Sequence, residues 1–476
     1  MSVIILGGGG FRVPLIAQRL AASGLLGSAS ADAGASASAG TSAGASPAGE
    51  LVLYDTDTSR LAVIASVLAG DPATAGLPVR AVTRLDEALP GAGLIFSAIR
   101  AGGLDGRVRD ERAALRLGLL GQETVGAGGL TSAARAVPAA DALARRVAEL
   151  APGAWVISMT NPAGIVTETM TAVLGDRVIG VCDSPVGLIR RVCAACGTDP
   201  GPDLGAVAGR VDAGYLGINH LGWLRSLTVD GADLLPSLLA DGRRLASFEE
   251  GRLFGPDVIR ALGAVPNEYL YWYYAAAEAL RDVTAAGRTR GEHVRERQLA
   301  FYSAAADAGP PEAARLWREA NDERNRSYFA ELRTGEAAGE RDEADVAAGG
   351  YESVAVALAR ALSGGPAARL ILNVRNGAGF REGADVAVPG LAAETVVEVP
   401  CRVGAAGPVP LPVPPPTPHE LGLMSVVRGC ERDIAAAALS DSPAQAEALA
   451  LRGFATHPLV GSLAAARALA AATFPR

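Results

Sequence analysis

The chain opens on a short apolar run, Val3-Ile4-Ile5-Leu6, followed at once by four glycines, Gly7 to Gly10, and then by a helical stretch from Pro14 to Leu20. No other feature restricts the fold as much, because strand, glycine turn and helix in immediate succession begin a βαβ unit. Pro14 suits a first helical turn, where its missing N–H leaves nothing unpaired. The next strand, Glu50 to Asp55, ends on an acid. A Ser/Ala/Gly stretch at 27–49 lies between and reads as a flexible insertion. Excising it brings Asp55 to the spacing of about 20 residues expected in a dinucleotide site.

The physical reading of that unit is specific. Glycines let the backbone approach a pyrophosphate, and the helix N-terminus offers oriented N–H groups. Asp55 would accept hydrogen bonds from the adenosine ribose and would repel a 2′-phosphate. Gly7, Gly8, Gly9, Gly10, Phe11 and Asp55 are therefore the candidate residues for NAD.

Beyond Asp55, strand-like runs at 93–97, 154–158 and 177–181 alternate with helical ones. Such alternation predicts a parallel sheet covered by helices on both faces. After residue 200 the pattern changes to short strands at 215–218 and 224–229, an Arg/Glu-rich helical region at 265–335, a strand at 370–374, a proline-rich loop at 408–418 and an alanine-rich helical C-terminus. The expected architecture is α/β: a Rossmann-like doubly wound parallel sheet over residues 1–200, and over 201–476 an α+β unit of the lactate/malate dehydrogenase type that carries substrate, metal and oligomer contacts.

With 49% hydrophobic residues, the chain can bury a sizeable core. A net charge of −8 argues against a nucleic-acid partner. All 43 basic residues are arginine, so anions would meet planar guanidinium forks. Five cysteines in a long chain do not suggest a disulfide framework. No leader-like or membrane-spanning run is apparent, and the expectation is a cytoplasmic enzyme with no membrane partner.

Polar clusters interrupt the apolar runs downstream. They are Arg100-Ala101-Gly102-Gly103 leading to Asp110-Glu111, Gly121-Gln122-Glu123-Thr124 with Gly126, Gly128 and Gly129, Thr160-Asn161-Pro162, Val181-Cys182-Asp183-Ser184-Pro185, and Gly217-Ile218-Asn219-His220-Leu221-Gly222-Trp223. Asn161 and Cys182 fall at strand C-terminal ends, where ligands bind in open parallel sheets. Cys193-Ala194-Ala195-Cys196 has redox spacing without a second pair and reads as structural.

With Pro266-Asn267-Glu268-Tyr269, Thr289-Arg290-Gly291-Glu292 and Val396-Val397-Glu398-Val399-Pro400, these motifs resemble, in this order, glycoside hydrolase family 4, the NAD- and divalent-metal-dependent glycosidases. The resemblance extends from residue 3 to His457-Pro458-Leu459. It implies a redox route instead of the two-carboxylate scheme of most glycosidases. Oxidation at sugar C3 acidifies the C2 proton, the aglycone is eliminated, water adds, and the hydride returns.

The resemblance also assigns roles. Cys182 and His220 match the metal ligands. Thiolate plus imidazole alone suggests Zn or another borderline-soft ion, whereas the resemblance implies Mn2+. Tyr269 matches the base that removes the C2 proton, with Tyr271 its rival in an aromatic run. Asp110 matches an acid placed near that tyrosine, and Asp183 a proton donor to the leaving group. Arg100, Asn161 and Arg290 match substrate-contacting positions. Gly10 stands where the family has serine. The motif set is most similar to the 6-phospho-β-glucosidases, and the expected substrate is a small phosphorylated β-glucoside handled by a homodimer or homotetramer. A 6-phospho-α-glucosidase or an unphosphorylated α-glycosidase or galactosidase of the same family stays open, because Asp183 is shared with the α-acting branch. A 2-hydroxy-acid dehydrogenase is the rival from another class.

Overall fold

The computed structural model describes residues 2–26, 49–201, 210–327, 350–379 and 386–475. The Ser/Ala/Gly insertion, save Gly49, lies outside the described residues.

The strands are β1 (Ser2–Leu6), β2 (Leu51–Tyr54), β3 (Val79–Val82), β4 (Ala92–Ser97), β5 (Trp155–Ser158), β6 (Val178–Gly180), β7 (Val211–Ile218), β8 (Leu221–Val229), β9 (Ala232–Asp233), β10 (Val265–Pro266), β11 (Ala368–Arg375), β12 (Val396–Gly404) and β13 (Gly407–Pro410). All join one sheet, in the order β10-β8-β7-β12-β11-β6-β5-β4-β1-β2-β3, with β13 beside β12 and β9 beside β8. From β3 to β6 every pairing is parallel. The order 3-2-1-4-5-6 is that of a doubly wound dinucleotide fold. Its strands are continuously apolar, as burial on both faces requires: Val3, Ile4, Ile5 and Leu6 are all fully buried.

Beyond β6 the strands run antiparallel, which gives the second half its α+β character. Two single pairings carry the sheet across this join: Gly180 of β6 with Asn373 of β11, and Glu398 of β12 with Gly217 of β7. Because Asn373 pairs with Glu398 in the β11–β12 ladder, Gly180, Asn373, Glu398 and Gly217 form one row across the sheet. A Cβ on Gly180 would stand 2.8 Å from that of Asn373, so glycine lets the two strands meet there.

Late segments also buttress the N-terminal half. The helices Pro418–Ala438, Pro443–Thr456 and Leu463–Thr473 share a core with Gly126–Leu150. The proline-rich segment begins with β13 instead of running as a loop throughout, and the region expected to be helical from 265 opens on β10. All five cysteines are free, and Cys193 is buried on the helix Ser184–Ala195. Among the described residues no helix is long and apolar enough to cross a membrane.

Candidate active site

The glycine turn is held from both sides. Gly7 lies at φ +86°, and a Cβ there would sit 2.7 Å from the Ala98 carbonyl oxygen. Gly7 and Gly8 donate their N–H groups to the Tyr54 carbonyl, at 2.9 and 2.7 Å. The Gly9 N–H donates to Asp55 Oδ2 at 2.9 Å, and a Cβ on Gly9 would collide with that same oxygen. From the later chain, the Tyr302 hydroxyl donates to the Gly9 carbonyl at 2.6 Å and the Trp317 indole N–H to the Phe11 carbonyl at 2.8 Å. Gly7, Gly10, Phe11 and Asp55 line a cleft of about 580 Å3. Gly8 and Gly9 do not line it; they let the turn press against β2 and Asp55.

Cys182, Asp183, His220, Tyr269 and Asn161 line the same cleft, and Arg12, just past the glycine turn, reaches Asp183 at 3.8 Å. Cys182 follows β6 by two residues, and His220 lies in the turn between β7 and β8. His220 is held at φ +62°, a strained conformation for a non-glycine residue of the kind found at working sites. Its partner settles its tautomer. Gln122 Oε1 accepts the backbone N–H groups of Thr124 and Val125 and also the Thr124 hydroxyl. With its proton committed to Gln122, Thr124 Oγ1 accepts from His220 Nδ1–H at 2.7 Å. Nε2 then carries the lone pair that a metal requires. Burial keeps the ring neutral, lowering its pKa to about 4.

The His220 and Tyr269 rings are stacked, with centroids 3.6 Å apart. Asn267 sets this up: its side chain accepts the Tyr269 N–H at 2.9 Å, and its own N–H donates to the Gly222 carbonyl at 2.9 Å. Burial, with the Glu398 and Asp183 carboxylates adding to it, raises the Cys182 thiol well above its ordinary pKa. A divalent cation is the charge that would offset this and hold sulfur as thiolate. Among the described residues no group of three or more His, Cys, Asp and Glu could hold a metal. A two-residue site at Cys182 and His220 would leave coordination positions for oxygens of a ligand.

Guanidinium groups crowd the cleft wall. Arg12, Arg100, Arg107, Arg290 and Arg324 all line it. Burial and the like charges of Arg12 and Arg290 lower Arg324 to about 10, a cost that an anion in the cleft would relieve. Arg107 bridges Glu111 at 2.7 Å and Glu123 at 2.6 Å, and Glu123 pairs with Arg100.

The chain matches two family models over most of its length: "Family 4 glycosyl hydrolase" over residues 42–197 and "Family 4 glycosyl hydrolase C-terminal domain" over 215–460. The chain belongs to glycosyl hydrolase family 4. The 6-phospho-beta-glucosidase of Escherichia coli (strain K12) is 34% identical over 248 residues, 49% of this chain and 53% of that protein. The maltose-6'-phosphate glucosidase of Bacillus subtilis (strain 168) is 26% identical over 396 residues, 79% of each chain. The alignments with the 6-phospho-beta-glucosidase relatives cover about half the length of those proteins. A structure of the 6-phospho-beta glucosidase from Thermotoga maritima, determined with manganese, NAD+ and glucose-6-phosphate, superposes with a TM-score of 0.74 at 22% identity, covering 99% of this chain and 97% of that one. At that identity the likeness concerns the fold.

Within this family 4 chain most of the expected site residues line the one cleft; besides Gly8 and Gly9, Asp110 and the rival base Tyr271 do not, and Arg290 does so with its guanidinium engaged elsewhere. The Asp110 carboxylate lies outside the cleft, paired with Arg135 at 2.8 Å, while its neighbour Glu111 faces inward and accepts the Gly291 N–H at 2.8 Å. Adjacent residues on a helix point about 100° apart, so only one of the two can face the cleft. Tyr271 packs against Phe254 instead of lining the cleft. Arg290 lines the cleft but donates to the Ser327 and Arg324 carbonyls at 2.8 and 3.2 Å, closing the end of the helix Pro310–Arg326.

Glu398 had not stood out as a site residue. It is buried, its charge acts on the Cys182 thiol, and it accepts from Asn373 at 2.8 Å, Tyr215 at 3.1 Å and Asn219 at 3.3 Å. Burial, against those three donors, raises its pKa to about 7. A lone acid in the apolar run 396–400 was the available signal, since unpaired charge is costly in such a strand.

Proposed function

We propose that this family 4 chain hydrolyses 6-phospho-β-glucosides by NAD-dependent redox elimination and addition. The observation that carries the reading is one cleft lined both by the glycine turn with Asp55 and by Cys182, His220 and Tyr269. The names of the 6-phospho-beta-glucosidase relatives, and the ligands in the Thermotoga maritima structure, support it.

NAD, when bound, supplies a hydride acceptor toward sugar C3, and a divalent cation, Mn2+ by family likeness, supplies Lewis acidity toward the C2 and C3 oxygens. The chain's own groups do the rest. The turn Gly7 to Gly10 with Phe11 seats the pyrophosphate, and Asp55 takes the adenosine ribose hydroxyls. Cys182 Sγ and His220 Nε2 hold the cation. Tyr269 accepts the C2 proton, its phenolate favoured by the nearby cation. Asp183 gives a proton to the departing glycosidic oxygen. Asn161 and Arg100 orient the sugar, and Arg290 shapes the cleft wall from its helix end. Asp110 acts at one remove, holding Arg135 against Gly102 and Gly106.

The wider assignments belong to the same proposal: a cofactor-binding unit over residues 1–200, a substrate unit over 201–476, a homodimer or homotetramer, and a cytoplasmic location. The 6-phospho-α-glucosidase reading is favoured by one observation, the acid at Asp183 in the cleft, and by relatives of that name.

The test is turnover of p-nitrophenyl 6-phospho-β- and α-glucosides with and without NAD, Mn2+ and reductant. Cleavage of the β-linked substrate that needs all additions, and slows on deuteration at C2 or C3, is the expected result. Cleavage indifferent to cofactor and metal overturns the mechanism. Oxidation of a 2-hydroxy acid without any glycoside cleavage overturns the enzyme class.

A further inference from the structure

Beside Asp55 the cleft holds an arginine that the reading above does not use. Arg60 lies in the first turn of the helix Thr58–Gly70 and lines the cleft with Asp55 and Thr56. Its guanidinium carbon sits 4.4 Å from the centroid of the Tyr302 ring, and its NH2 donates to the Tyr302 hydroxyl at 3.2 Å. Its Nε is buried with no hydrogen-bond partner among the described residues. Tyr302 in turn ties this pair to the glycine turn through the Gly9 carbonyl, and the Gly9 N–H ties the turn to Asp55. A guanidinium thus lies over an aromatic ring, beside the acid expected to read the adenosine ribose.

We infer that Arg60 is a specificity-determining residue of the cofactor site, acting with Asp55: its planar face seats the adenosine end, and its charge stays opposed by Asp55 unless that acid is removed. The argument rests on the nicotinamide cofactor of the proposed function. A guanidinium backed by Tyr302 presents its other face to a purine, a stacking role that a lysine cannot fill. The same guanidinium is a bidentate partner for a phosphate at the ribose 2′ position. Two carboxylates oppose that second use, Asp55 in the cleft and Asp57, which caps the helix by accepting the Arg60 N–H at 3.0 Å. Only Asp55 stands where the ribose is expected, so replacing it should release the latent phosphate site.

The experiment measures NAD+ and NADP+ dissociation constants of the full chain by calorimetry or fluorescence, without substrate or turnover. The variants are Arg60→Ala, Arg60→Lys, Asp55→Ser and Asp55→Ser/Arg60→Ala, each checked by thermal melting. Losing the stacked guanidinium should weaken NAD+ by about 3- to 10-fold in both Arg60 variants. Asp55→Ser should bring NADP+ affinity up by about tenfold or more, a gain that the double variant loses. NAD+ binding within twofold of the parent in Arg60→Ala overturns the inference, as does a double variant that keeps the NADP+ gain. If the Arg60→Ala protein melts early, Arg60→Lys carries the test, because it keeps charge and removes the planar face. A parent chain that binds neither cofactor overturns the proposed function itself, whereas tight NAD+ binding indifferent to Arg60 overturns only this inference.

Discussion

The imidazole of His220 lies flat on the phenol ring of Tyr269, with planes within 3° of each other. Each ring fixes the other: Thr124 sets the imidazole from one edge, and Asn267 sets the backbone of the phenol. A proposed metal ligand and a proposed base thereby share one rigid unit, which separates the effects of their substitutions.

Tyr269→Phe keeps the stack and loses only the hydroxyl. Turnover of the phosphoglycoside should fall by about 10^2- to 10^4-fold, the range for losing a general base, with NAD+ binding unchanged. Steady-state kinetics beside a cofactor titration check this, and near-normal turnover would remove Tyr269 from the chemistry. Tyr271→Phe should leave turnover close to the parent value, because that ring packs on Phe254 outside the cleft.

Thr124→Val removes the acceptor that holds His220 Nδ1–H. Partners of metal-bound histidines are worth about 10- to 100-fold in metal affinity, so the Mn2+ concentration for half-maximal activity should rise by that factor. Saturating Mn2+ should restore most of the rate. A variant with unchanged Mn2+ dependence would show that the tautomer is set elsewhere.

The fully buried pair of Arg191 and Glu250 gives a stability prediction. Arg191 Nε donates to Glu250 Oε2 at 2.9 Å, with Glu268 close by. Arg191→Met strands three buried acids, Glu249 at 3.5 Å among them, and should cost about 3–5 kcal/mol in urea unfolding. Arg191→Met/Glu250→Leu should recover part of that loss, since it removes a stranded charge along with its partner.

His457 makes the chain acid-sensitive. Its Nδ1 accepts the Leu459 N–H at 3.1 Å, a bond that only the neutral ring can make. Burial lowers its pKa from 6.5 to about 4. The unfolded chain therefore takes up a proton near pH 6.5 that the folded chain refuses until about 4. Stability from this residue is fully present above the higher value and is lost as the pH falls toward the lower, by about 3 kcal/mol in all. His457→Asn retains an acceptor for Leu459 and should flatten that part of the unfolding-energy profile. Parallel profiles for the two proteins would assign the acid sensitivity elsewhere.

Much of the parallel half was legible because its information is local. The β-branched run before Gly7, the acid closing β2 and the alternating segments up to Val181 each declare themselves within a few residues. The join was not legible. Gly180, Gly217, Asn373 and Glu398 are scattered over more than 200 residues, and no periodicity records that they pair. Asp110 and Glu111 show the same limit at short range: the Asp-Glu motif marks the place, while helix phase decides which acid faces inward. The i, i+4 spacing of Arg107 and Glu111 was the available clue to that phase. The aromatic run resisted for a related reason, because Glu268–Leu270 is a 3-10 turn and helical periodicity does not apply there.

The four-residue row across the sheet bears on how such chains can diverge. Sulfur at 182 is delivered from one side of that row and nitrogen at 220 from the other, so neither half carries the proposed metal centre alone. Recombination between two homologues would preserve chemistry only if both parents agree at Gly180, Gly217, Asn373 and Glu398, which makes that seam the unit that descends intact.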